Sequence, residues 1–380
     1  MEVIKLFKPY GSPKTNWPIL AADTMIRREP HMNLHGKWEY EDGLMLNGMY
    51  AIFQSTKKEE YFKYIRDNID EFVDSTGHIK GYYPEETSLD YINNGKAILD
   101  IYDETHEEKY KQAATSLYKQ LLTQPRTSTD VFWHKGIYPN QIWLDGLYMA
   151  SVFYARYQKT FGITENLSDV VHQFLESYNA TIDHSTGLCF HATDVSKEAF
   201  WCNPQSGHSP HFWTRSIGWY VMAMVDVLEY LPDGLNGKET ILSNLNSLLT
   251  ALRKVADTRT NLWYQIPDES ERPMNYLESS GSLMILNAIA KGLRKGYLNS
   301  KVWDEFLQKG FKNALREFIS IDRHNFVNVN KIAHVGGLGG KNQRDGSFAY
   351  YMSEPIVTND HKGVGPFLML ANEMKNLKTK

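Results

Sequence analysis

The feature that most constrains this chain is a recurrence. Six apolar runs each open on a small cluster of polar and aromatic residues: Tyr40-Glu41-Asp42-Gly43-Leu44, residues 89–95 ahead of Ala97-Ile98-Leu99, Leu144-Asp145-Gly146-Leu147-Tyr148, residues 215–220 ahead of Val221-Met222-Ala223, residues 278–284, and residues 362–369. Between them lie segments that are apolar on one side only. Residues 57–73 put Phe62, Ile65, Ile69 and Phe72 on one helical face, and residues 107–122 do the same with Tyr110, Ala114, Leu117 and Leu121. Thr56 with Glu59 and Thr105 with Glu108 predict capping boxes at the starts of these two helices. Residues 169–178, 239–255 and 303–319 continue the series, and Trp17-Pro18 predicts a short helix through residue 28 with proline in its first turn. Each one-sided segment is followed by a turn and a short β-like run, clearest at Asp183-His184-Ser185-Thr186-Gly187-Leu188-Cys189-Phe190.

A helix that is apolar all round needs neighbours on every side, whereas a helix wet on one face needs them on one. Their alternation predicts an all-α fold, a closed α/α barrel of six helical hairpins, with residues 1–380 as a single domain. A solenoid is the rival, and would set the same starts along a groove.

In a barrel the loops entering the inner helices gather at one end. That predicts a site drawn from Tyr40, Asp42, Asp90, Trp133, His134, Lys135, Trp143, Asp145, His191, His208, His211, Trp213, Arg215 and Trp219. The densest part is residues 133–149, where Pro139 and Asn140 offer a turn and a cap and a single acid, Asp145, interrupts the apolar run that follows. A carboxylate left charged and unpaired there would cost several kcal/mol, roughly, so it is either used or satisfied. Burial beside an indole raises its pKa and makes it a general acid; the bland alternative is an Asp that caps the helix or pairs with Lys135. In the set as a whole, carboxylates supply proton transfer, cations hold an anionic group, and rings offer faces to a sugar.

Composition narrows the partner. The 380 residues include 9 Trp and 23 Tyr, more aromatic surface than a core needs, and the formal net charge of −4 comes with no Lys/Arg block, so neither nucleic acid nor an anionic membrane is expected. Two cysteines, Cys189 and Cys202, suggest reduced thiols in a cytoplasmic protein. Residues 1–10 lack the apolar core of an export signal. His184, His191, His208 and His211 have no compact metal-ligand spacing, so no metal and no cofactor is expected. Gly336-Gly337-Leu338-Gly339-Gly340-Lys341 fails as a phosphate loop at Val335 and Asn342, and reads instead as a flexible loop at the site rim.

Trp133-His134-Lys135, Tyr138 through Met149, Ser209-Pro210-His211-Phe212-Trp213-Thr214-Arg215 through Tyr220, and Arg344-Asp345-Gly346-Ser347 through Ser353-Glu354-Pro355 resemble the unsaturated rhamnogalacturonyl hydrolases of glycoside hydrolase family 105. The likeness runs from about Trp38 to Phe367. It implies a six-hairpin α/α barrel acting on oligosaccharides that end in a 4,5-unsaturated uronic acid, the products of polysaccharide lyases. By resemblance, Asp145 protonates C4 of this vinyl ether and its carboxylate then takes a proton from the water that adds to C5; the hemiketal opens and releases the neighbouring sugar. The start of a helix would oppose the protonated form of Asp145. Asp90, brought alongside, is expected to share a proton with it, while Lys135, His134, His191 and Arg215 position the substrate or its carboxylate and Tyr40, Trp213 and Trp219 stack on or edge the sugar. The competing readings are an inverting glycosidase using Asp90 and Asp145 on a saturated glycan, a sugar epimerase resting on histidines, and a carbohydrate-binding protein without catalysis.

Overall fold

In a computed structural model the described residues are 15–33 and 35–378; the stretch read for an export signal lies outside them. Trp17 and Pro18 open α1 (Trp17–Arg28), proline filling a first-turn position where its missing N–H is no loss. The other helices follow the alternation: α2 (Tyr40–Thr56), α3 (Glu59–Asp70), α4 (Gly95–Thr105), α5 (Glu108–Leu122), α6 (Leu144–Gly146), α7 (Val152–Phe161), α8 (Leu167–Thr181), α9 (Thr214–Val227), α10 (Lys238–Val255), α11 (Ser279–Lys295), α12 (Ser300–Phe318), α13 (Phe348–Ser353) and α14 (His361–Lys378). A π-helical turn, Leu147–Ser151, joins α6 to α7 into one composite inner helix.

The fold is an α/α barrel. The inner ring runs α2, α4, α6 with α7, α9, α11 and α14, each packed on the next and the last packed back on α2. Outside it, α3, α5, α8, α10 and α12 each pack on the inner helix preceding them, and α1 packs on α14. Burial follows the sequence pattern: α9 buries every residue except Asp226, whereas α3 buries only Tyr61, Tyr64, Ile65, Asn68 and Ile69. Inner helices approach closely through glycine. A Cβ on Gly281 would stand 2.7 Å from the Thr214 methyl and 2.8 Å from the Arg215 nitrogen, which holds α11 against the start of α9.

Both expected capping boxes are absent. Thr56 and Thr105 end α2 and α4, and each hydroxyl donates back to the carbonyl of Ile52 or Ile101 (2.8 Å). Asn140 caps nothing either: it is a left-handed turn residue (φ 59°) ahead of the short strand β1 (Gln141–Trp143), and the helix begins only at Leu144. β1 pairs antiparallel with β2 (Ala192–Asp194), Trp143 opposite Ala192. Two more small antiparallel pairs, β3 (Ile319–Ile321) with β4 (Val327–Val329) and β5 (Ile332–Ala333) with β6 (Ile356–Val357), decorate the C-terminal third.

Trp219 plugs the barrel axis, its ring 6.2 Å from that of Tyr40 and 4.8 Å from that of Tyr148. On one side of this plug a cleft of about 760 Å³ opens among the helix-entry loops. On the other, Lys96 Nζ lies 3.3 Å from the Tyr148 ring centre, above a cavity of about 550 Å³ lined by the ion pairs Arg156–Asp100 and Lys291–Asp226 (both 2.6 Å). Cys189 and Cys202 are free thiols, and no helix among the described residues is long and apolar enough to cross a membrane.

Candidate active site

Two loops meet at the cleft because Leu89 N donates to His134 O (3.0 Å). Asp90, in the 3₁₀ turn Leu89–Ile92, thereby faces Lys135 and His134: Lys135 Nζ is 2.5 Å from its Oδ2 and His134 Nε2 is 3.4 Å from its Oδ1. Burial pulls the Lys135 ammonium down and Asp90 more than restores it, so the lysine stays charged. Burial pushes the His134 imidazole down to about 4 despite Asp90, so this ring is neutral and its Nε2–H faces the carboxylate. His134 then stacks flat on Trp143, 4.7 Å between centres, and Tyr138 stacks nearby on the same indole at 5.0 Å.

The strand pair β1–β2 places the second half of the site. Leu144 N donates to His191 O (3.3 Å), setting His191 beside the first turn of α6, where its Nε2 lies 3.6 Å from Asp145 Oδ2. His191 Nδ1 is 2.8 Å from the Tyr351 hydroxyl. The His191 ring is walled by Trp143 (5.3 Å) and Trp213 (4.7 Å), and the Arg215 guanidinium lies 4.6 Å from the Trp213 ring centre. The structure therefore brings together Tyr40, Asp90, His134, Lys135, Trp143, Asp145, His191, Trp213 and Arg215.

Several expectations are corrected. Burial does push the Asp145 carboxyl upward, but His191, His134 and Arg215 pull harder the other way, so in the free protein its pKa lies below the ordinary carboxylate range. No hydrogen bond joins Asp145 to Asp90, as the expected shared proton requires: Asp90 is paired with Lys135, and Asp145 Oδ2 faces His191 Nε2 at 3.6 Å, with no hydrogen-bond partner among the described residues. Arg215 is not free for a substrate carboxylate: it is 2% exposed, and its guanidinium donates to Ala333 O, His334 O and Ser280 Oγ. Trp219, 1% exposed, is the axial plug and not a sugar platform. His208 stacks on Phe190 (4.5 Å) away from the acids, His211 pairs with Glu269 (2.7 Å), and Asp42 pairs with His361 (3.3 Å). The glycine-rich segment is packed at its head, where a Cβ on Gly336 would stand 2.2 Å from the Trp213 ring, and reaches solvent at Gly340 and Lys341.

Sequence reasoning missed Tyr351, Gln141 and Gln265. The two glutamines accept from the indole N–H groups of Trp143 (3.0 Å) and Trp213 (3.1 Å), fixing both rings. Tyr351 sits inside the block from Arg344 to Pro355 that carried the family resemblance, so a signal for it existed without a role. No group of three or more His, Cys, Asp or Glu able to hold a metal ion occurs among the described residues.

A neutral imidazole, an ion-paired acid and a half-sealed acid set in aromatic walls form a proton-transfer site suited to a sugar. Comparison with known proteins gives its lineage. The chain aligns with 36% identity over 226 residues, 58% of this chain and 96% of the other, to Protein Atu3128 of Agrobacterium fabrum. It is 24% identical over 300 residues to the unsaturated rhamnogalacturonyl hydrolase YesR of Bacillus subtilis, covering 77% of this chain and 79% of that one. A family 105 glycoside hydrolase from C. acetobutylicum superposes with a TM-score of 0.92 at 45% identity, covering 95% of this chain and all of the other (100%). The sequence pattern of Glycosyl Hydrolase Family 88 spans residues 18–378, and with that structural match the chain belongs to this group of glycosyl hydrolases, in glycoside hydrolase family 105.

Proposed function

We propose that the protein releases a terminal 4,5-unsaturated uronic acid, an unsaturated galacturonyl group carried on a neutral sugar such as rhamnose, by hydrating its vinyl ether. The observation that carries this reading is Asp145, whose Oδ2 is sealed from solvent against His191 while the side chain as a whole keeps 14% exposure. The open oxygen delivers a proton to C4, and the ring oxygen's lone pair stabilises the positive charge that develops at C5. Water adds to C5, its proton returns to the Asp145 carboxylate, and the hemiketal opens with loss of the neighbouring sugar. The net change is addition of one water, so a single carboxylate acts as acid and then as base, unlike the paired carboxylates that act at an anomeric carbon. Lys135 uses one of its N–H groups on Asp90 and keeps others for the uronate.

The cleft that Asp90 and Lys135 line favours an uncharged neighbour. Glu39, Glu41, Glu85 and Glu86 line it, and Lys135 is the one cation among its described lining residues. A sulfated or uronate aglycone would meet like charge there. A relative named for unsaturated rhamnogalacturonyl hydrolysis supports a rhamnose-linked substrate.

A panel of lyase-generated disaccharides tests both claims through loss of the ultraviolet absorbance of the double bond. Turnover is expected with a neutral aglycone and at least about 10-fold lower kcat/KM with a charged one. Asp145→Asn should keep the circular dichroism spectrum and lose at least about 10³-fold in rate. Release of reducing sugar from intact polysaccharide, with no absorbance change on any unsaturated disaccharide, would overturn the reading.

A further inference from the structure

We propose that Tyr351 is a positioning residue: its hydroxyl donates to His191 Nδ1, fixes the imidazole proton on Nε2, and so aims a single N–H at Asp145. The inference rests on the reading of Asp145 as proton donor and names what holds that acid ready.

Tyr351 is fully buried (0% exposed), and among the described residues its hydroxyl has one hydrogen-bond partner, His191 Nδ1 at 2.8 Å. A buried phenol O–H left without an acceptor costs about 1–3 kcal/mol, so the proton on oxygen points at Nδ1 and Nδ1 accepts. With Nδ1 accepting, the ring hydrogen lies on Nε2, the nitrogen 3.6 Å from Asp145 Oδ2. The Tyr351 side chain is itself held in place. Its ring stacks on Trp213 at 6.0 Å and 29°, Ser347 caps α13 by accepting from Tyr350 N (3.1 Å), and the Tyr350 hydroxyl donates to Gly337 O (2.7 Å).

The surroundings of Asp145 make that N–H consequential. The acid is faced by His191 from the loop before β2, by His134 from the loop before β1, and by Arg215 from α9, with the phenols of Tyr40 and Tyr351 nearby. His134 has its Nε2 turned to Asp90, and Arg215 is held by Ser280 and two backbone carbonyls, so neither hydrogen-bonds Asp145. His191 is the group that does approach it. Without the Tyr351 hydroxyl the ring is free to put its hydrogen on Nδ1 and turn a lone pair towards the carboxylate.

The test is Tyr351→Phe, which keeps the ring stacked on Trp213. In protein labelled with ¹⁵N-histidine, the His191 signals, assigned by their loss in His191→Gln, should show hydrogen on Nε2 in the native chain and a mixed state in Tyr351→Phe. With the stabilising N–H gone, the Asp145 carboxyl should rise, so the basic limb of the kcat/KM profile should move up by about half a pH unit or more, with kcat about 10-fold lower. A profile that stays in place, with or without a fall in rate, assigns Tyr351 to packing alone and overturns the proposal, as does a native His191 with its hydrogen on Nδ1. If neither protein turns over any unsaturated uronide, the hydrolase reading fails, and the imidazole spectra alone decide the hydrogen bond.

Discussion

Asp145 enters its site with the wrong charge for an acid. Burial favours its neutral form, yet His191 and Arg215 hold it ionised in the free protein. A substrate that brings its own carboxylate and expels water reverses the balance, since a second negative charge in a dry site favours the protonated acid. The kcat/KM profile, which reports the free enzyme, should therefore fall towards higher pH from an earlier point than kcat, which reports the complex. The two basic limbs are expected at least about one pH unit apart in steady-state assays; coincident limbs would mean that the proton is not acquired on binding. At this scale the sequence was informative where a residue broke a local pattern, as Asp145 breaks an apolar run. It was blind where a side chain's direction depends on distant backbone. Arg215 was legible as a cation at a helix start, but its capture by Ala333 O spans 118 residues and no local spacing encodes that. His208 and His211 stand in the right loop and face Phe190 and Glu269, because a loop position alone does not say which way a ring points.

Elements were read better than their ends. Every inner and outer helix follows from hydrophobic period, because burial on all sides or on one side leaves different residue patterns. The capping boxes failed because α2 ends at Thr56 and α3 begins at Glu59, so the same threonine can finish one helix or start the next. The π-helical turn at Leu147–Ser151 was hidden for another reason: its side chains are those of an ordinary apolar helix. The wall of Gly336 offers a test at this level. Gly336→Ala drives a methyl into the Trp213 indole, which must shift, and Trp213 packs on both His191 and Tyr351. Overpacking of this kind costs about 1–3 kcal/mol, to be read as a lower melting temperature, and should raise KM about 10-fold by shifting the buried indole and the His191 ring packed on it. Unchanged KM would show that the position of the indole does not govern how His191 is set in the site.

Across the whole molecule, one imidazole clasps the closure that the packing of α14 on α2 and α11 makes. His361, at the start of α14, lies 2.7 Å from Glu29 beyond α1 and 3.3 Å from Asp42 in α2. Burial alone would lower its pKa, but these two acids raise it from 6.5 to about 10. The folded state therefore holds a proton that the unfolded state gives up. The resulting stabilisation is full below about 6.5, declines as pH climbs and is lost above about 10. Melting temperatures of the native protein should fall over that window, and those of His361→Gln should start lower and fall less; parallel curves would show that the clasp carries no charge. Six hairpins were legible in the sequence because the period repeats, whereas the clasp was not, since Asp42 had every mark of a site residue.

The same closure has a consequence for biosynthesis. The sixth hairpin is divided between helices far apart in the chain, α1 preceding the other five pairs and its partner α14 following them. A ribosome can emit five finished pairs and still expose the apolar flanks of α2 and α11, a seam open to chaperones or to a neighbouring nascent chain until His361–Lys378 emerges. Moving the gene's start point so that α1 is encoded after α14 would make that last pair local, and such a circular permutant should refold faster than the natural order.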